Sequence, residues 1–202
     1  MSLVSFLDAQ HDRLNSTRAF DFLAPLALRL YLAAVFWVAG MNKVAGFDNV
    51  VEWFGNSDWG LGLPFPWLMA FLATAAEVGG AVLLLLGLGT RYIAVPLIIT
   101  MLVAIFTVHW DHGWQAVADL NSPGATAATA EALTRLERAR EILQEYGNYA
   151  WLTADGRYSF VVSNNGIEWG VTYLLMLLVL FFQGAGRWFS LDYWIEQRYR
   201  AQ

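Results

Sequence analysis

Four long apolar stretches are the feature that most restricts how this chain can fold. They lie at about residues 22–46, 65–88, 92–110 and 166–186. Four charged side chains interrupt them, namely Arg29, Lys43, Glu77 and Glu168. A membrane span needs about 20 apolar residues, because the hydrocarbon core is about 30 Å thick and an α-helix rises about 1.5 Å per residue. The sequence therefore predicts four membrane spans within a single domain of 202 residues.

The spans are predicted to be helices that form an all-α four-helix bundle in the membrane. Apolar runs without period-two alternation favour helices over the strands of a membrane barrel. Four spans place both termini on the same side of the membrane. By the positive-inside rule, basic residues in the tails and in the short turn at 89–91 identify that side as the cytoplasm. These residues are Arg13, Arg18, Arg91, Arg187, Arg198 and Arg200.

The loop at 111–165, predicted on the outer side, is long enough to carry structure of its own. Ser122 and Pro123 resemble a helix cap followed by a first-position proline, and apolar residues then recur at helical spacing as far as Tyr146. This pattern predicts an amphipathic helix that lies on the bundle or the membrane surface, or that docks a partner protein. Residues 151–162 contain an Asp-Gly turn and resemble a small β-hairpin.

Two of the charges within the spans are predicted to form an ion pair. Ionisable residues in membrane spans are costly, so they usually face the bundle interior and find partners there. Counting the rise per residue from the span ends places Arg29 and Glu77 at a similar depth. We therefore predict a structural pair between Arg29 and Glu77.

Polar residues near the outer ends of the spans predict a second cluster. Lys43, His109 and Glu168 lie near the outer ends of the first, third and fourth spans, and Trp169 follows Glu168. A polar pocket walled by tryptophan suits an amphipathic ring such as a quinone head group. Structural explanations also exist, because Lys43 can snorkel to the interface and Glu168 can complement a helix dipole. His109 and His112 are spaced to reach one metal ion, but without a third ligand we assign no metal site and no catalytic residue.

Charge and cysteine content narrow the classes of function. The net charge is −5 and no basic run is long enough to follow phosphates, which argues against nucleic acid as a partner. The chain has no cysteine, so it forms no disulfide, thiolate metal site or dithiol relay of its own. Any redox role therefore requires a bound cofactor, a quinone or a partner protein.

Motifs in the spans resemble those of the DoxX family. The first span contains Leu28-Arg29-Leu30 and Gly40-Met41-Asn42-Lys43-Val44. The second contains Glu77-Val78-Gly79-Gly80 and ends in Leu86-Gly87-Leu88-Gly89-Thr90-Arg91. The fourth contains Glu168 and is followed by Gly184-Ala185-Gly186 and Ser190-Leu191-Asp192. The order and spacing match across all four spans, so the resemblance marks Arg29, Lys43, Glu77 and Glu168 as family-pattern positions.

The resemblance implies a four-helix protein of the bacterial inner membrane that serves a redox system. Members of the family include a subunit of a thiosulfate:quinone oxidoreductase and a part of a membrane-associated oxidoreductase complex. The loop at 111–165 departs from the short members. In this respect the chain is similar to DoxX-type proteins that accompany copper-responsive clusters for modified, secreted metal-binding peptides, which weighs against thiosulfate chemistry.

Three functions follow as hypotheses. The first is an oxidoreductase subunit that acts with a quinone or a partner protein, with Lys43 and Glu168 orienting or protonating the quinone oxygens. The second is a non-catalytic anchor whose outer loop docks a periplasmic protein or peptide. The third is a transport component for a metal or a metal-binding peptide, for which a homo-oligomer would have to supply the path. In each case the expected partners are the lipid bilayer and other membrane or periplasmic proteins.

Overall fold

Helices make up the regular structure of this chain. The structure is a computed structural model that describes residues 10, 11 and 13–200. The helices are α1 (Leu23–Ala45), α2 (Phe47–Gly55), α3 (Pro66–Leu86), α4 (Thr90–Ala104), α5 (Ala127–Tyr146), α6 (Tyr149–Leu152), α7 (Glu168–Gln183) and α8 (Leu191–Arg200). A π-helical turn, Ile105–His109, and a 3-10 turn, Trp110–His112, continue α4. Among the described residues there is no β-strand, which confirms the predicted all-α class.

Three helical segments are long and apolar enough to cross a membrane. They are Leu23–Ala45, Pro66–Leu86 and Thr90–His112. The fourth apolar helix, α7, has 16 residues and is therefore about 24 Å long, which is shorter than the predicted stretch at 166–186. Large apolar side chains such as Leu72, Leu85 and Ile99 are exposed on these helices, as contact with lipid requires. The chain is a multi-pass membrane protein.

The described chain divides into two compact units. The first comprises the residues up to Thr100 together with those from Leu175 onward, and the second comprises Met101–Leu174. In the first unit α1 and α2 pack against α3. Its core contains the fully buried side chains of Leu32, Leu84, Leu97, Leu177 and Leu180.

Gly40 allows a close approach between α1 and α3. A Cβ atom added to Gly40 would lie 2.7 Å from Cγ2 of Val78 and 3.2 Å from Cβ of Glu77. Small residues permit such close helix contacts in membranes. Because Gly40 faces Val78, α3 extends past the end of α1 by about seven residues, or roughly 10 Å. These additional turns pack against α2, where the Phe47 and Trp67 rings lie 6.2 Å apart in an edge-to-face arrangement.

The Gly40 contact gives a first prediction. Gly40→Val is expected to lower the free energy of unfolding by about 1–3 kcal/mol, because the added side chain must displace both the side chain and the backbone of Val78. Gly79→Val is the matched control, since a Cβ atom there meets nothing within 4 Å. Thermal or denaturant unfolding in detergent measures both variants. Equal losses of unfolding free energy in Gly40→Val and Gly79→Val would contradict the close α1–α3 contact.

In the second unit, the two ends of the predicted outer loop lie side by side. The segments 113–118 and 162–168 are joined by backbone hydrogen bonds, including those from Ile167 N to Gly113 O at 2.9 Å and from Gly166 N to Gln115 O at 2.8 Å. Asn164 adds side-chain bonds from its Nδ2 atom to His112 O at 2.7 Å and to Gln115 O at 3.1 Å. This pairing closes the loop between α4 and α7.

The amphipathic helix predicted within the loop is present as α5, but two local predictions were wrong. The helix is capped by Thr126, which forms a reciprocal capping box with Thr129, and not by Ser122. The predicted hairpin at 151–162 is absent from the structure. Asn148 instead caps the short helix α6, and the chain then turns through Ala154 and Asp155 with positive φ angles. The Asp-Gly signal therefore marks a helix end and its following turns, not the tip of a hairpin.

Candidate functional site

A buried ion pair between Lys43 and Glu77 joins α1 to α3. The Lys43 ammonium donates to both carboxylate oxygens of Glu77, at 2.8 Å to Oε1 and 2.7 Å to Oε2. The Glu77 side chain is 4% exposed, whereas that of Lys43 is 26% exposed. Gly40 makes the pair possible, because it brings the α1 backbone against Glu77 one helical turn before Lys43. The pair thus has one buried acidic end and one basic end that remains accessible.

The structure corrects the predicted Arg29–Glu77 pair. Arg29 lies elsewhere in the first unit, where Nη1 donates to Leu84 O at 3.1 Å and Nη2 to Phe189 O at 2.6 Å. The prediction was wrong because it measured the depth of Glu77 from the start of α3 as though that start were level with the end of α1. Since α3 overshoots α1 to pack on α2, Glu77 lies opposite the end of α1 and within reach of Lys43.

An aromatic groove lies beside the ion pair in the first unit. It has a volume of about 340 Å³ and is lined almost entirely by apolar atoms. Its lining residues are Val44, Phe47, Trp67, Phe71, Thr74, Ala75 and Val78. Neither charged side chain lines the groove, but Thr74 lies three residues before Glu77 on the same face of α3, so the groove begins within one helical turn of the ion pair. The Trp67 and Phe71 rings are stacked with centroids 5.5 Å apart and planes inclined by 4°, which provides a flat wall.

The other predicted cofactor-binding residues belong to the second unit. The Nδ1 atom of His109 lies 2.7 Å from the backbone oxygen of Asn165, and Oε2 of Glu168 accepts the Ala116 N–H at 2.9 Å. Trp169 is half-exposed and stacks on Tyr173. The contacts of His109 and Glu168 support the loop backbone. The joint site of Lys43, His109, Glu168 and Trp169 remains a prediction.

Sequence reasoning missed the groove because it treated residues 47–64 as a loop. The signal for α2 is present in the sequence: Phe47, Val50, Val51 and Phe54 recur at helical spacing directly after Gly46. Within the described ranges there is also no group of three histidine or acidic side chains that would hold a metal ion. The candidate site is therefore an aromatic groove with one ion pair within a helical turn of it.

Comparison with known proteins places this architecture in a family. The sequence profile of the DoxX family matches residues 24–110, which include Arg29, Lys43, Glu77 and the whole groove. The chain is also 34% identical over 115 residues to "Inner membrane protein YphA" of Escherichia coli (strain K12), an alignment that covers 54% of this chain and 78% of that protein. The chain belongs to the DoxX family.

A second relative carries a functional name. This DoxX protein is 35% identical over 86 residues to "Putative oxidoreductase CatD" of Bacillus subtilis (strain 168). The alignment covers 43% of this chain and 60% of that relative. Among solved structures none matches significantly. The segment shared with the family profile ends at residue 110, so the loop at 111–165 lies beyond it.

Proposed function

We propose that this DoxX protein is the quinone-binding subunit of a redox-linked complex in the bacterial inner membrane. The observation that carries the proposal is the buried Lys43–Glu77 pair within one helical turn of an aromatic groove. The groove volume of about 340 Å³ lies within the usual range for small-ligand pockets, roughly 300–1,000 Å³. Stacked Trp67 and Phe71 suit a flat ring, and lipid-exposed helices give an isoprenoid tail access from the bilayer.

The residues of the pair suit the proton chemistry of such a ligand. A bound quinone supplies the capacity to take up two electrons and two protons. The partly exposed Lys43 ammonium has a third N–H, beyond the two that bond Glu77, with which to donate to a carbonyl oxygen at the groove. Glu77 holds that ammonium in position through both of its carboxylate oxygens. Since the chain has no cysteine, the electrons are expected to come from a partner protein.

The groove is tested by filling it. Ala75→Trp places a large ring among the lining residues, and the quinone that is extracted with the detergent-purified protein is expected to fall at least about tenfold, which corresponds to about 1.4 kcal/mol. Leu85→Trp is the control, because Leu85 is an exposed apolar residue of the same helix outside the groove. Chromatography of the extracted lipids measures the quinone. If the wild type retains no quinone and membranes with its partners show no quinone-dependent activity, the proposal fails.

The second unit favours one alternative, a role as a membrane anchor that assembles a periplasmic partner. Its helix α5 ends at Tyr146, which is 79% exposed, and Trp151 in the following segment is 75% exposed. If the loop serves only to dock a protein or peptide, deletion of residues 122–146 abolishes complex formation while Lys43→Met/Glu77→Met leaves it intact. Under the quinone proposal this double variant removes redox activity even in the assembled complex. A transport role would require movement of metal or peptide into proteoliposomes.

A further inference from the structure

A second pocket of the first unit lies where its apolar helices end. It has a volume of about 360 Å³, and its lining includes Gly89, Arg91, Gln183 and Arg187. Helix α4 begins at Thr90 and α7 ends at Gln183, so the pocket is level with the ends of two apolar helices. Tyr92 and Phe182 are strongly exposed beside it, at 86% and 72%. Aromatic residues at the ends of apolar helices are typical of the lipid head-group layer.

The acidic groups of this pocket are already engaged. The two carboxylate oxygens of Asp192 accept the backbone N–H groups of Gly89, at 2.6 Å, and Thr90, at 2.9 Å. Glu196 forms a salt bridge one turn along α8 with Arg200. Glu196 is thus paired with Arg200, whereas the backbone bonds hold Asp192 in place without removing its charge. Among the described residues, Arg91 and Arg187 therefore share the pocket with one carboxylate that forms no salt bridge.

The two arginines are less fully engaged. Nε of Arg91 donates to Phe181 O at 2.8 Å and its guanidinium lies 5.9 Å from the Phe181 ring centroid. Within the part of the chain that the structure describes, Arg91 forms no salt bridge. Arg187 donates to Oδ1 of Asp21 from Nη2 at 2.6 Å and from Nε at 3.1 Å, and Nη2 also donates to Arg18 O at 3.1 Å. Nη1 forms none of these bonds, and both side chains of the Arg187–Asp21 ion pair are about half exposed. Exposed pairs contribute only about 0–1 kcal/mol, so an anion can compete for Arg187.

We propose that the Arg91–Arg187 pocket binds the phosphate group of an anionic phospholipid. Guanidinium groups bind phosphate through parallel N–H···O bonds, and the Phe181 and Trp188 rings beside the two arginines hold their planar groups in place. The glycine-rich turn 184–186 leaves room at the pocket rim, where a Cβ added to Gly184 would already touch the stem of Arg91. The site lies apart from the aromatic groove in lining residues and in ligand chemistry, and does not depend on the proposed redox function.

Native mass spectrometry of the full chain in detergent tests this site, with phosphatidylglycerol and phosphatidylcholine as probes. The wild type is expected to bind phosphatidylglycerol in preference to phosphatidylcholine. Arg91→Gln is expected to weaken phosphatidylglycerol binding about tenfold, because charge-assisted bonds to the phosphate are lost. Arg198→Gln is the matched control on α8, since Arg198 is exposed and does not line the pocket. Unchanged binding by Arg91→Gln, or no preference between the lipids, would overturn the proposal.

Two further measurements separate the sources of phosphate and guard against misfolded variants. Inorganic phosphate added at the lipid concentration is expected not to displace phosphatidylglycerol. Displacement would assign the site to a soluble phosphate compound and would overturn the proposal that it binds a lipid. A phosphatidylglycerol with a photoreactive head group is expected to label peptides of the wild-type protein within 89–92 and 183–196. Labelling confined to other segments would exclude the pocket, whatever the stability of the variants.

Discussion

Replacement of Lys43 by methionine is expected to lower the free energy of unfolding by about 3–5 kcal/mol, because it leaves the Glu77 carboxylate buried without its partner. The Glu77 side chain is 4% exposed and both of its oxygens accept from Lys43. Reversible unfolding in mixed detergent micelles, followed by circular dichroism, provides the measurement.

The double variant Lys43→Met/Glu77→Met distinguishes the pair from its separate charges. Apolar residues of similar size often replace a buried ion pair with little loss, so the double variant is expected to recover most of the stability lost in Lys43→Met. Arg135→Met serves as a control at the exposed Glu131–Arg135 pair of α5, where a loss of no more than about 0.5 kcal/mol is expected. A double variant no more stable than Lys43→Met would show that the two side chains do not compensate each other.

The same double variant separates structure from function. If the pair serves only to join α1 and α3, the stable double variant keeps all activity of the assembled complex. If Lys43 donates to a quinone at the groove, the double variant remains folded yet loses quinone binding. The comparison requires no assumption about the electron donor, because stability and bound quinone are measured on the same purified protein.

Hydropathy alone was sufficient to locate the apolar helices. Every residue of a span lies in the hydrocarbon core, so the hydropathy signal accumulates over about 20 positions. The charged residues within the spans were found by the same reasoning, because Arg29, Lys43 and Glu77 stand out in apolar surroundings. The partners of these charges were not predicted correctly, because pairing depends on how far one helix is shifted along another. That shift is fixed by Gly40 against Val78 and by the unpredicted helix α2.

Short-range signals in the second unit were less reliable. The Asp155-Gly156 dipeptide suits a hairpin turn, yet the preceding Asn148 forms a helix cap and directs the backbone into α6. Likewise Thr126 and Thr129 cap α5 together, whereas Ser122 does not. Several residues near each of these ends have the chemistry of a cap, so the local sequence alone does not select among them.

Substitution of Arg29 by methionine is the second change with a large expected effect. Arg29 is 1% exposed and connects α1 to the end of α3 and to the chain before α8, through Leu84 O and Phe189 O. The loss of two charge-assisted bonds is expected to lower the free energy of unfolding by about 3–5 kcal/mol. The segment 188–200 should then exchange its amide hydrogens faster, which hydrogen–deuterium exchange in detergent measures directly.

The surroundings of Arg29 provide both a companion variant and a control. Gly87 has a φ angle of +64°, and a Cβ atom there would lie 2.1 Å from Nη1 of Arg29, so Gly87→Ala should loosen the same segment. Its carbonyl also accepts the Asp192 N–H at 2.9 Å, which links the α3–α4 turn to α8. Arg198→Met removes an exposed arginine of α8 and should change neither stability nor exchange. Faster exchange spread evenly over all helices, instead of concentrated at 188–200, would mean that Arg29 supports the whole unit and not this junction in particular.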